Sequence, residues 1–226
     1  MPTGFQVLND SSTYQVDETY KNFQLSNAGS GTTSSLYSDG SYSYYYYDYT
    51  ITNAVNPILA VYCANRYVTV TAITKSGSTW TFRVVSGFNN ASVELYVFDV
   101  VTTSPHNYGL QIFNASAELV YHSGNKPLRI VALIDNSGTT TYTYTSGRKY
   151  ATVILAPGFS QDGTTIEKAV KREWTYYSGV QNTSQHVIVF SNGAIQTSDI
   201  TSYTYDPPFT FPVDFAQGLV VDITNF

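Results

Sequence analysis

Chemistry in this chain would have to come from three histidines, one cysteine and a dispersed set of carboxylates. His106, His122 and His186 stand alone: none has a second histidine at helical spacing, or an acidic residue two positions on, as metal sites require. Cys63 lies inside the apolar run 58–64, where a small thiol packs; a nucleophile needs a strained turn or a helix N-terminus. Asp39, Asp48, Asp99, Asp135, Asp162, Asp206 and Asp214 are scattered. Asp39, Asp135 and Asp162 adjoin glycine or turn residues, where aspartate makes the turn. Nothing selects two carboxylates as a glycosidase pair, and Asp162-Gly163 alone is no calcium loop. No nucleophile elbow, phosphate loop or dinucleotide fingerprint occurs. The sequence therefore predicts no catalytic residue, no cofactor and no metal, in a protein that is not an enzyme.

What remains is tyrosine. Tyr42, Tyr44, Tyr45, Tyr46, Tyr47 and Tyr49 form one dense run, and Tyr142 and Tyr144 alternate with threonines in the second half. In an extended chain Tyr42, Tyr44, Tyr46 and Asp48 share one face, and Tyr45, Tyr47 and Tyr49 the other. Two uses fit. Tyrosine rings stack on sugars while their hydroxyls bond to them. Tyrosine is also a preferred interface residue, apolar in body and wet at the tip. Because both faces carry tyrosine and a sugar would use one, the interface reading is preferred and glycan contact is the alternative.

The elements that must position these residues read as strands. Only 12% of the 226 residues are charged, while 21 tyrosines and many threonines favour a half-buried pleated surface and 15 glycines supply turns. Net charge is −5 with no basic cluster, which excludes a nucleic-acid partner. No apolar run approaches the ~20 residues of a membrane helix. Residues 1–20 hold Asp10, Asp17 and Glu18 and no apolar core, so no signal peptide is predicted. A single cysteine cannot close an intrachain disulfide.

Strands are expected at 5–8, 14–16 and 20–25, with the Gly/Ser/Thr-rich stretch 26–41 as a loop. The tyrosine run follows, then a central strand at 58–64 and a hairpin of 67–73 with 79–85 around Lys75–Ser78. Another strand spans 93–101. The second half repeats the plan with strands at 110–113, 118–121, 127–134 and 139–145, then 149–156. A hairpin of 171–178 with 185–190 is expected to turn at Gly179–Asn182, with Trp174 as the counterpart of Trp80. Thr164–Glu167 resembles a helix capping box, yet the alternation of Ile166, Lys168, Val170, Arg172 and Trp174 favours a strand. The last strand is 219–223.

An internal repeat organises the chain. Gly109-Leu-Gln-Ile-Phe-Asn114 restates Gly4-Phe-Gln-Val-Leu-Asn9 at an offset of 105 residues, which also carries Ser11 onto Ser116, Lys21 onto Lys126, Phe23 onto Leu128 and Leu25 onto Ile130. The fold class is all-β, built of two similar β-sandwich or jelly-roll-like modules, 1–104 and 105–226. Whether these are separate domains or share one sheet stays open, and two similar domains are preferred.

The stretch Tyr108–Val131, YGLQIFNASAELVYHSGNKPLRIV, resembles a motif of minor tail proteins of tailed bacteriophages, tail-tip or tail-fibre-associated, in which Gly-Leu-Gln-Val-aromatic-Asn-Ala-Ser-Gly-Glu opens a β module. The opening MPTGFQVLND has the same look. Ala117 stands where the motif has glycine, and His122 where an acidic residue is usual. The resemblance implies a structural virion component of the tail (tail tip, baseplate or fibre attachment), made in the bacterial host cytoplasm. Its partners would be itself, as a trimer or hexamer, and other tail proteins. A receptor- or glycan-binding module of the tail, touching a host surface glycan, is the second reading. A polysaccharide-degrading enzyme is the third, resting on the dispersed carboxylates alone.

Overall fold

A computed structural model describes residues 6–8, 14–17, 21–38, 43–100, 108–136, 138–157, 159–167, 170–202, 209–211 and 216–226. They are strands and their connections, with no helix among them. The first half contributes β1 (Gln6–Leu8), β2 (Tyr14–Asp17), β3 (Phe23–Thr32), β4 (Ser35–Ser38), β5 (Ser43–Ile51), β6 (Ile58–Cys63), β7 (Thr69–Ser76), β8 (Thr79–Ser86) and β9 (Ser92–Val100). The second contributes β10 (Gln111–Phe113), β11 (Leu119–His122), β12 (Ile130–Asn136), β13 (Thr139–Thr143), β14 (Tyr150–Ala156), β15 (Phe159–Glu167), β16 (Val170–Ser184), β17 (Val187–Ser202), β18 (Phe209–Phe211) and β19 (Ala216–Asp222).

One six-stranded sheet, ordered β12-β19-β14-β6-β9-β3, takes three strands from each half. The halves meet where β6 and β14 run antiparallel, with Val61 opposite Thr152 and Ala60 opposite Val153. Outward from this seam the order is β6, β9, β3 on one side and β14, β19, β12 on the other. The opposing layer is a four-stranded sheet, β4-β5-β8-β7, and a five-stranded sheet, β13-β17-β16-β15-β18. Val68 and Val180 join these two by a reciprocal pair of backbone hydrogen bonds, at 3.0 and 2.9 Å. The expected boundary at 104/105 falls outside the described residues. Whatever its place, the strands of 1–104 and 105–226 share a sheet, so the halves do not close as separate sandwiches.

Two small hairpins match at the 105-residue offset. β1 pairs with β2 through Gln6–Asp17, Val7–Val16 and Leu8–Tyr14, and β10 with β11 through Gln111–His122, Ile112–Tyr121 and Phe113–Leu119. Each slips register at the same step. In the second, Ala117 takes a left-handed turn conformation (φ 60°) that glycine would adopt at less cost.

The sandwich core forms because the six-stranded sheet alternates. Leu59, Val61, Val93, Leu95 and Val97 point toward Phe82, Val84 and Val70 of the four-stranded sheet and Val180, Ile188 and Phe190 of the five-stranded one. The other face gathers Ala60, Tyr62, Tyr96, Phe98, Val153 and Val221. β6 is therefore apolar on both faces, which is why it reads as an unbroken run rather than an alternation. The second cluster is enclosed by the chain itself. Residues 126–128 bond the outer edge of β3 (Leu25 N–H to Lys126 O, 2.7 Å; Leu128 N–H to Phe23 O, 2.8 Å), while Arg129 O accepts from Asp222 N–H on β19. One continuous stretch thus ties the β3 edge of the sheet to β19 before continuing as the other edge, β12. Pro127 suits its place there, opposite Gln24, where the flanking residues make the hydrogen bonds and no proline N–H is needed.

Ion pairs fasten this curl. Glu94 on β9 accepts from Lys149 Nζ (2.7 Å to Oε1) and from Tyr96 Oη (2.6 Å), with Lys149 over the Tyr62 ring. Asp222, 2% exposed, accepts from Arg148 (2.6 Å) and lies 3.7 Å from Arg129.

Three expectations need correction. The stretch expected as a loop at 26–41 is, over its described residues 26–38, mostly strand: β3 runs through Thr32 and β4 follows. Its glycines admit tyrosine rings, as set out below. Nor is Gly179–Asn182 a turn. It lies inside β16, and the hairpin turns at Gln185-His186. Asn182 is fully buried there: its side-chain amide donates to Tyr150 O (2.9 Å) and its Oδ1 accepts from Cys63 N–H (3.4 Å). Trp174 is not the counterpart of Trp80 either, since Trp80 is on the second strand of its hairpin and Trp174 on the first. The 164–167 segment is strand, within β15.

Candidate functional site: an aromatic sheet face

β5 pairs with β4 on one side and β8 on the other, with Tyr44 opposite Tyr37, Tyr46 opposite Ser35 and Val85, and Asp48 opposite Arg83. This splits the tyrosine run in two. Tyr47 and Tyr49 turn inward and pack on the main core, their ring centroids 6.5 Å apart. Beneath them on β3 are Gly31 and Gly29. A Cβ at Gly31 would overlap the Tyr47 ring, and one at Gly29 would lie 2.8 Å from Tyr49 Oη. Burial, with a smaller contribution from Tyr47, raises the Tyr49 hydroxyl pKa above its usual value. Tyr45 is half-buried at the end of this inner face, opposite Leu36 and Ser86.

Tyr44 and Tyr46 face outward. Tyr44 stacks on Tyr37 (centroids 4.9 Å, planes 19° apart) and meets Tyr46 edge-on at 6.3 Å. Arg83 lies over the Tyr46 ring, 4.3 Å from its centroid, and grips Asp48 with both prongs (Nε to Oδ1, 2.8 Å; Nη2 to Oδ2, 2.7 Å). Bidentate pairing fixes the guanidinium plane, and the ring beneath it adds ~0.5–1 kcal/mol at an exposed site. Thr50 and Thr81 continue the row with a 2.9 Å hydroxyl–hydroxyl bond. The result is an aromatic face whose charges are internally matched and whose rings are held by one another.

The remaining expected site residues go elsewhere. Tyr142 and Tyr144 pack on the main core from β13 and its continuation, and the Tyr144 ring lies 5.0 Å from Tyr150. Burial raises the Tyr144 pKa. Tyr42 lies outside the described residues. The face thus gathers Tyr44 and Tyr46 from the expected set, and adds Tyr37 and Arg83, which sequence reasoning missed.

The other residues that could do chemistry are placed as follows among the described residues. Cys63 is 1% exposed, with burial pushing its thiol pKa up, the opposite of an activated nucleophile. Asp99 is consumed by the backbone N–H groups of Val55, Asn56 and Val100. His122 is buried and its Nδ1 accepts from Gly124 N–H, within its own turn. His106, Asp39, Asp206 and Asp214 lie outside the described residues. Among the described residues no three His, Cys, Asp or Glu side chains converge as a metal site would require.

Comparison with protein families, with curated proteins and with solved structures finds no match to this chain.

Proposed function

We propose that this protein is a structural component of a bacteriophage tail, at the tail tip, baseplate or fibre attachment, acting by protein–protein assembly. The observation that carries the assembly reading is the outer face of the four-stranded sheet. Tyr37, Tyr44, Tyr46 and Arg83 are the residue types that dominate binding energy at interfaces, and here they are pre-ordered, so little side-chain entropy is lost on docking. Four strands at ~4.8 Å spacing and about 25 Å long give roughly 400 Å² in plan. That is about half the ~800 Å² one partner gives to a standard interface, and more than one sugar ring covers. A full contact would wrap around the β4 edge, where Leu36, on the opposite side of the strand from Tyr37, is 58% exposed. Placement in a virion rests on the resemblance of Tyr108–Val131. Mass spectrometry of purified particles tests it: peptides of this chain at stoichiometric copy number support the reading, and their absence overturns it.

A glycan-binding role for the same face is the second reading. Tyrosines on both sides of β5 argued against it from sequence. With Tyr47 and Tyr49 consumed by the core, a single outward aromatic face is left, as a sugar would use. Adsorption to host cells that survives Tyr44→Ala with Tyr46→Ala, together with a silent glycan array, removes this reading.

A further inference from the structure

Where residues 126–129 cross from β3 toward β19 they leave a cleft of about 600 Å³, a volume typical of small-ligand sites. Its walls are unlike the aromatic face. Phe23 and Tyr121 supply rings, and Pro127 and Leu128 an apolar floor. Lys21 and Arg129 bring cationic donors, and Asn22 an amide. Arg129 Nε and Asn22 Nδ2 are both shut off from solvent and have no hydrogen-bond partner among the described residues. A buried donor left unmet costs ~1–3 kcal/mol, and more when charged. The nearby acceptors are engaged. Asp222 is held by Arg148 and Thr224 as well as facing Arg129, and Glu118, 3.4 Å from Lys21, is bonded by Asn114. Arg129 Nη2 is spent on Thr224 O at 2.9 Å. Two cations, Lys21 and Arg129, thus line one recess beside two aromatic rings, and no carboxylate stands among its described lining residues.

We propose that this cleft binds an acidic saccharide unit, its carboxylate taken by the solvent-facing parts of Lys21 and Arg129 and its ring set against Tyr121 or Phe23. A recess of this size suits a small polar ring with one carboxylate better than a protein partner, which would require a broad, flatter surface. The site is distinct from the Tyr44–Tyr46 face and stands or falls independently of the assembly reading.

The test is titration of the whole protein with glucuronate, glucose, acetate and a glutamate-containing tripeptide, followed by calorimetry and saturation-transfer NMR. Expected is saturable glucuronate binding, at least about tenfold tighter than glucose or acetate and weakened by salt. Lys21→Met and Asn22→Asp each weaken it about tenfold, the first by removing a cation and the second by placing a negative charge in the lining without changing shape. Circular dichroism spectra of both variants should match the parent's, so lost binding is not lost fold. Glucuronate binding no tighter than glucose overturns the proposal, as does acetate binding equally well, which would mean an adventitious ion only. Tighter binding of the tripeptide, or unchanged affinity in both variants, overturns it too.

Discussion

Tyr47 over Gly31 is the contact on which the aromatic strand depends. The glycine is not there for flexibility: its missing side chain is the volume the tyrosine ring occupies. Gly31→Ala should therefore destabilise by about 1–3 kcal/mol, as overpacking does, read as a fall in urea midpoint. Combined with Tyr47→Ala, the loss should be well short of additive, because the second change vacates the space the first one needs. Strict additivity would show that the two residues do not meet. Charge gives a second residue-scale expectation. Burial opposes ionisation of Glu94, but the hydrogen bonds from Lys149 and Tyr96 outweigh it, so its carboxyl sits below the ordinary value of 4.5. A lowered folded-state pKa stabilises at pH above the unfolded value, and that contribution is lost as pH falls below 4.5 through the folded value. Glu94→Gln should lose less stability than the parent between neutral pH and that acid range. An identical acid profile for the two would contradict it.

At the scale of elements, much was legible and the failures share a cause. β6 and β9 announced themselves as apolar runs, and the β7–β8 hairpin turned where Lys75–Ser78 said it would, at Gly77 with φ 61°. Gly29, Gly31, Gly179 and Asn182 were misread because glycine and asparagine are locally turn formers, and here a neighbour from far along the chain overrides that preference. Tyr37 was missed with the stretch that holds it, although Asp39-Gly40 between Leu36-Tyr37 and the tyrosines is a hairpin signal. Arg83 offered no signal, since its pairing with Asp48 depends on strand register alone. The cleft was equally invisible: it arises where 126–129 meet β3. Asn182 separates the two descriptions of its segment by experiment. In an exposed turn, Asn182→Ala would change stability by less than about 0.5 kcal/mol. Buried against Tyr150 and Cys63, it should cost about 1–3 kcal/mol by chemical denaturation, because it strands their backbone groups.

For the whole molecule, the repeat in the sequence became a shared sheet instead of two closed modules. β6 meets β14, Val68 meets Val180, and Glu94 meets Lys149, each pair joining the first half to the second. Neither half alone covers the apolar faces these contacts bury. A fragment of residues 1–104 should stay unfolded by circular dichroism and amide NMR dispersion, and the full chain should unfold in one transition seen alike by tyrosine fluorescence and far-ultraviolet signal. A folded fragment would restore the two-domain picture. The functional account stands on the aromatic face, and light scattering behind size exclusion, at micromolar concentration, tests it most directly. The parent protein should elute as a closed trimer or hexamer, and the Tyr44→Ala, Tyr46→Ala variant, with its fold intact, should dissociate at concentrations at least about tenfold higher. A parent that stays monomeric throughout, or a variant that assembles as well as the parent, would contradict it.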